Sequence, residues 1–162
     1  MTDSAERTLE RKDVLPDATG VNMKPTVVRA GPAFMGKQGH LLAPGISAQS
    51  SGAQRIHLQI ATIPPGVRAK AHKHTDHETA LYVLSGDSAM WYGEKLEGHL
   101  FARAGDFLYI PANLPHLPYN VSDTESCVVL IARTDPNEQE SVTLLPELDT
   151  VHESLLATKR LA

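Results

Sequence analysis

The segment GVRAKAHKHTDHE, residues 66–78, is the most informative stretch of the chain. From His72 to Glu78 it places three of the eight histidines and two carboxylates within seven residues. Side chains alternate along an extended strand, so His72 and His74 project to the same side and can reach one ion, while Lys73 faces away. The alternative is a solvated, charged loop whose histidines bind nothing. A further ligand elsewhere in the chain decides between the two.

A second segment, GDFLYIPANLPH at residues 105–116, offers such a ligand. It has the pattern of a strand that enters a turn bounded by Pro111 and Pro115, and it ends at His116. One histidine in this position is weak evidence by itself. Imidazole and carboxylate groups together suit divalent iron, zinc, manganese, nickel or copper, and the ligand types alone do not choose among these metals.

Together the two segments resemble the paired motifs of the cupin superfamily. The residues that match the first motif are Gly66, His72, His74, Glu78 and Gly86, and those that match the second are Gly105, Pro111, Asn113, His116 and Asn120. The motifs follow each other in the family's order, and both together are far more specific than either alone. The resemblance covers about residues 54–133 and is closest to small bacterial single-domain cupins.

The resemblance implies an all-β fold, a double-stranded β-helix or jelly-roll barrel, which we place at residues 26–145. It further implies that one divalent metal ion, with iron favoured and zinc, nickel or manganese as alternatives, lies inside the barrel beside an apolar cavity. The implied ligands are His72, His74, Glu78 and His116. Glu78 is also the candidate catalytic base, since it could leave the metal during turnover.

Two departures from the family pattern affect these expectations. Asn113 replaces a glycine, which is tolerable because asparagine is the residue after glycine that best occupies a left-handed turn. Seven residues instead of six separate Glu78 from Gly86, so counting back from Gly86 places Thr79 at the acid position. Three alternatives remain open: a β-bulge turns Glu78 inward, His77 is the fourth ligand, or the site has three histidines only. We favour the first.

Aromatic and aliphatic residues near the motifs are candidates for the cavity wall. Trp91, Tyr109 and Tyr119 are the candidate substrate-binding residues, since an amphipathic ring packs and still offers a polar tip. For the aliphatic candidates and Phe107, ordinary core packing is the competing interpretation, and these residues are Leu81, Val83, Phe107 and Leu117. Four histidines outside the motifs are expected at the surface, namely His40, His57, His99 and His152.

The rest of the chain agrees with a β-barrel. Short alternating segments, separated by Gly and Pro turns, predict a strand from Gln54 to the turn at 64–66, strands at 79–84, 88–92, 99–102, 107–110 and 126–133, and a short one at 26–29. On the first of these, Ile56, Leu58 and Ile60 share the apolar face. Residues 1–25 have the composition of a mobile arm, and the tail at 146–162 contains a predicted helix at 148–161.

Composition narrows the class of protein. A net charge of -4 and a pI near 6.0 argue against a nucleic-acid binder, which needs a basic face. The single cysteine, Cys127, lies in an apolar run and is expected to be a buried thiol without chemistry. The first residues lack the apolar core of a signal peptide, and no apolar run is long enough to span a membrane, so a cytoplasmic location is expected.

The expected function follows from the open coordination positions that three or four protein ligands leave on a metal. With iron, the expected activity is a dioxygenase that cleaves a carbon–carbon bond in a small enol, catechol or dicarbonyl compound. A non-redox isomerase or lyase, or a small-metabolite binder without turnover, is the alternative. Open sheet edges and the loose arm predict a homodimer.

Overall fold

The structure, a computed structural model, describes residues 24–138 and 141–151. Within these ranges the regular secondary structure is almost entirely β-strand. The first strands are β1 (Phe34–Met35), β2 (Leu41–Ile46), β3 (His57–Ile63), β4 (His72–His74), β5 (Thr79–Ser85) and β6 (Asp87–Tyr92). The later strands are β7 (Gly98–Arg103), β8 (Phe107–Ile110), β9 (His116–Asn120), β10 (Cys127–Arg133) and β11 (Val142–Leu144). Short helices occupy Ala48–Ser51 (α1) and Pro146–Leu148, the latter a 3-10 helix.

The strands form two antiparallel sheets that enclose a cavity. Sheet A has the order β1-β2-β3-β10-β5-β8, and sheet B has the order β11-β4-β9-β6-β7. After β3 the chain crosses between the sheets at every connection except that from β6 to β7, which closes the two layers into a jelly-roll. The predicted all-β barrel is therefore confirmed, as are the strands at residues 79–84, 88–92, 99–102, 107–110 and 126–133.

Gly86 makes the sharp connection between β5 in sheet A and β6 in sheet B. Its φ is +75°, and a Cβ atom built there would lie 2.7 Å from the carbonyl oxygen of Ser126. Any other residue would meet both a backbone clash and an unfavourable dihedral angle. The glycine therefore fixes the start of β6, and with it the face that each following residue presents.

The two outer faces of the barrel differ in how they are covered. Ala71, Leu96 and Leu117 form a buried cluster outside sheet B, against which Leu145 and Leu148 of the C-terminal segment pack. The outer face of sheet A has no such cover among the described residues, and Phe107 and Tyr109 there are 83% and 58% exposed.

Two predictions about local structure were wrong. Residues 26–29 form no strand. On β3 the burial is the reverse of the expectation: Ile56 and Ile60 are 58% and 38% exposed, whereas His57 and Gln59 are 0% and 2% exposed. The inward face of a strand is set by its pairing within the sheet, and the alternation of apolar residues did not reveal which face that is.

Both predicted ends lie largely outside the described residues. The predicted arm at 1–25 has only its last two residues described, and of the predicted helix at 148–161 only the first four are described. In the described part, none of the helices has the length and apolar character needed to span a membrane.

Candidate metal centre

Strand alternation and strand pairing bring three histidines together on the inner face of sheet B. His72 and His74 are the two ends of β4, and His72 pairs directly with His116 at the start of β9. The potential ligand nitrogens of the three residues all lie within 4.8 Å of one another. The structure therefore brings together three of the four predicted ligands.

Backbone carbonyls orient two of these imidazoles in the same way. The Nδ1 atom of His72 lies 2.7 Å from the carbonyl oxygen of Lys70, and that of His116 lies 2.8 Å from the carbonyl oxygen of Leu114. A carbonyl oxygen only accepts, so each Nδ1 carries the proton and donates it. The Nε2 atom of each ring is then left with a free lone pair, which is the atom a metal ion needs.

Burial keeps all three imidazoles neutral. Desolvation, reinforced by the neighbouring histidines, lowers the pKa of His72, His74 and His116 to about 3 each. At pH 7 each ring is therefore neutral, and one of its two nitrogens has a lone pair that a metal ion can bind without displacing a proton. The donor chemistry of the group fits the divalent transition metals expected from the sequence.

Glu78, the predicted fourth ligand and base, does not join the histidines. Its side chain is exposed, and its carboxylate accepts a 2.6 Å hydrogen bond from the Tyr109 hydroxyl on the outer face of sheet A. Thr79, which is 3% exposed, faces the cavity instead. His77 does not join them either, since its Nε2 atom lies 3.9 Å from the Asp135 carboxylate. β5 does have a register irregularity, opposite Val128 and Val129, but it leaves Glu78 on the outside, so the structure brings the three histidines together without Glu78 or His77.

The histidines form part of the wall of a cavity between the sheets. The cavity has a volume of about 60 Å³. Apolar side chains from both sheets make up most of the remaining wall, including Ile63, Leu81, Leu100, Leu108, Ile110, Val129 and Ile131. A space of this size and character suits a small molecule with an apolar part.

The three predicted substrate-binding aromatics do not line this cavity. On β8, Leu108 and Ile110 face inward, so Tyr109 faces out. On β9, His116 and Pro118 face inward, so Tyr119 faces out, where its hydroxyl lies 3.0 Å from Nε2 of His99. Trp91 packs on the same outer face with Leu117. Of the other predicted wall residues, Leu81 lines the cavity, whereas Val83 belongs to the core.

Sequence reasoning missed several polar residues of the cavity wall. His40, predicted at the surface, is 5% exposed and faces the cavity from the turn before β2, and burial lowers its pKa to about 4. Gln59 and Arg133 are also buried and line the cavity. Neighbouring Gly39, with a φ of +94°, marks a tight turn, but nothing in the sequence indicates that this turn covers the cavity.

Cys127 is fully buried, as predicted, and burial raises its pKa to about 11, so it is an unreactive thiol. His99 is half-buried outside the cavity, and the predicted surface residue His152 lies outside the described residues.

Hydrogen bonds of Asn113 link the segment that follows His74 to the segment that precedes His116. Asn113 has a φ of +64°, which confirms the left-handed conformation expected there, and its N–H donates to the carbonyl of His74 at 2.9 Å. Its side-chain amide accepts from the Asp76 N–H at 3.2 Å and donates to the Asp76 carboxylate at 3.1 Å. These three contacts hold the loop after β4 to the loop before β9.

Comparison with known proteins gives one family and one set of similar structures. The profile of the family described as "Cupin domain" matches residues 59–132. A structure of a mutant Bacillus subtilis oxalate decarboxylase is 21% identical over 71% of this chain, with a TM-score of 0.60, and the match covers 30% of that protein. Another oxalate decarboxylase structure, from a study of its substrate binding mode and reaction specificity, is 20% identical over 82% of this chain, with a TM-score of 0.64 and 35% of that protein covered.

The chain thus spans about a third of the length of these structures. A further structure of the Bacillus subtilis enzyme, from work on its Mn(II) centres, matches with 20% identity over 71% of this chain and 30% of that protein, with a TM-score of 0.60. At such identities the likeness concerns the fold. A search of the curated proteins finds no match.

Proposed function

Because the chain belongs to the cupin superfamily, we propose that it is an enzyme that uses one divalent metal ion to transform a small molecule inside the barrel. The metal is held by His72, His74 and His116. The observation that carries this proposal is the convergence of three buried, neutral imidazoles on one wall of a largely apolar cavity.

Three protein ligands leave several coordination positions open for a substrate. The residues of this chain contribute the rest of the chemistry. The carbonyls of Lys70 and Leu114 fix two ligand rings, and the apolar wall excludes water from the substrate. A dry cavity strengthens the attraction between the metal ion and an anionic oxygen of the substrate.

With iron as the favoured metal, the proposed reaction is dioxygenase cleavage of a small enol, catechol or dicarbonyl compound. Iron would supply the binding and reduction of dioxygen. Since no Asp or Glu of the described chain lines the cavity, the substrate is expected to bind as a preformed anion without deprotonation by Glu78.

A second candidate is a non-redox, metal-dependent lyase. The fold that this chain shares with part of an oxalate decarboxylase with Mn(II) centres favours it, since a decarboxylase is a lyase. The two candidates share the three-histidine site and differ in whether dioxygen is consumed.

The test combines elemental analysis with oxygen consumption on tag-free protein, in the wild type and in His74→Ala. About one equivalent of iron, absent from the variant, together with oxygen uptake on an enol or catechol panel, is the expected result. His99→Ala is the matched control, because His99 lies outside the cavity, and it should retain the metal.

Stoichiometric manganese without oxygen uptake would favour the lyase. Absence of metal from the wild type, even after anaerobic reconstitution, would contradict the proposal. The homodimer stays a prediction, which light scattering on the same samples tests.

A further inference from the structure

Buried polar side chains cross the wall of the cavity that sheet A forms. Arg133 on β10 pairs with His57 on β3 and with Thr79 on β5, so the three residues form one row across adjacent strands. Gln59 is two residues further along β3 and points to the same side. Arg133, Thr79 and Gln59 all line the cavity, and they are 3%, 3% and 2% exposed.

Hydrogen-bond donors in this row face the cavity. The Gln59 side-chain oxygen accepts from His57 Nε2 at 3.1 Å, so its amide nitrogen is left to donate, and that nitrogen has no hydrogen-bond partner. The Thr79 hydroxyl is also buried without a partner. Buried donors without partners are costly to folding, so a pair of them on one cavity wall indicates a bound group that accepts hydrogen bonds.

The charge of the wall indicates the sign of that group. Arg133 carries a permanent positive charge, and no Asp or Glu of the described chain lines the cavity. Asp135 is buried nearby and stays ionised, since the backbone N–H groups of Asn137 and Ser141 donate to its carboxylate, but it does not line the cavity. A buried positive charge in a cavity wall that contains no carboxylate favours a ligand that brings negative charge.

We propose that the substrate is a small carboxylic acid, bound as its anion, whose carboxylate is held by Arg133, Gln59 and Thr79. Planar guanidinium and carboxylate groups are complementary in geometry, which favours this anion over a halide. The hydrocarbon part of the acid packs against Leu81, Leu108 and Ile131, and a second oxygen function of the acid coordinates the metal ion. The last contact rests on the proposed function, whereas the carboxylate contacts do not.

The first experiment compares acids with their neutral esters in calorimetric titrations of wild-type protein. The probes are acetoacetate, 2-oxoisovalerate and 2-hydroxyisovalerate, each paired with its methyl ester. Each ester lacks the negative charge of its acid, so the comparison isolates the contribution of that charge, and at least one acid should bind about tenfold or more tighter than its ester. Equal affinity of acid and ester in every pair, or no binding of any acid, would overturn the proposal.

Variants then test whether the buried polar residues of sheet A cause the difference in affinity between acid and ester. Arg133→Gln should lower the affinity for the acid about tenfold and leave the affinity for its ester nearly unchanged. Arg103→Gln makes the same change of charge at an exposed position of β7 and should alter neither affinity. Thr79→Val, which removes a hydroxyl that has no partner in the structure, should fold normally and lower acid affinity a few-fold, which keeps the test decisive if Arg133→Gln is unstable.

Repeating the titrations on metal-free protein separates this proposal from the proposed function. If the wild type binds no metal but still prefers the acids in an Arg133-dependent way, the metal assignment fails and the carboxylate site remains. If metal binds but the acids show no preference over their esters, the carboxylate site alone fails.

Discussion

The two walls of the cavity are built by the same alternation of side chains, yet they carry opposite chemistry. Sheet B presents lone pairs, from the neutral imidazoles of His72, His74 and His116. Sheet A presents donors and a positive charge, from Gln59, Thr79 and Arg133. A wall of acceptors suits a cation, and a wall of donors suits an anion. This difference is the basis of our two proposals, that the cavity binds a metal ion on one wall and an anion on the other.

Acidification should test this contrast, because the buried imidazoles of the sheet B wall and the nearby His40 resist protonation in the folded chain. His40, His72, His74 and His116 have folded-state pKa values of about 3 to 4, against 6.5 in the unfolded chain. Below pH 6.5 the unfolded chain therefore binds protons that the folded chain does not. Stability should fall as pH decreases from about 6.5 towards 4, with each fully linked histidine removing about 1.4 kcal/mol between pH 7.5 and 5.5.

Urea denaturation of metal-free protein at these two pH values measures the effect. In His40→Asn, the difference between the free energies of unfolding at pH 7.5 and 5.5 should be smaller by the contribution of one histidine. A free energy of unfolding that is the same at pH 7.5 and 5.5 would mean that the four rings are not buried as described.

Removing one acceptor should abolish the cation site while leaving the opposite wall intact. In His116→Ala we expect metal affinity to fall about a hundredfold or more, since changes to residues that merely support a ligand already cost about 10- to 100-fold. Competition with a chromogenic chelator measures this affinity. Thr79→Val, on the facing sheet, should change the metal affinity by less than about threefold. Comparable losses in both variants would show that the walls do not have separate roles.

The smallest effect is expected at Glu78. Its carboxylate lies on the outer face of sheet A with Tyr109, so Glu78→Gln should alter metal affinity by no more than about twofold, as for other exposed substitutions. The same chelator competition applies. A loss as large as that of His116→Ala would restore Glu78 as a ligand and imply that metal binding rearranges the start of β5.

The sheet B wall could be predicted from the sequence, and the sheet A wall could not. His72 and His74 are two residues apart on one short strand, so alternation alone places them on one side, and the second motif supplies His116. Alternation says nothing about which side of an isolated strand is buried. For that reason β3 was assigned the wrong inner face, and Gln59 was not recognised as part of a site.

The same limitation explains the errors among the aromatic residues. Once His116 faces inward, Pro118 does too and Tyr119 faces out, an inference available from the sequence but outweighed by the amphipathic character of tyrosine. For Glu78, the extra residue before Gly86 already placed Thr79 inward. The position of His40 depends on a turn folding over the cavity, which is a tertiary contact that no local pattern encodes.

The hydrogen bonds between Asp76 and Asn113 are relevant to metal selectivity. Asn113 also holds the carbonyl of His74, so the loops that follow β4 and precede β9 are fixed to each other before any ion arrives. Three imidazole nitrogens that are held in place in this way cannot adjust their spacing to each kind of metal ion. Ions whose preferred bond lengths and angles match this spacing then bind without distortion, whereas others bear the cost of deforming the loops. If the proposed metal site is correct, this turn would contribute to the discrimination among metals without contacting the ion.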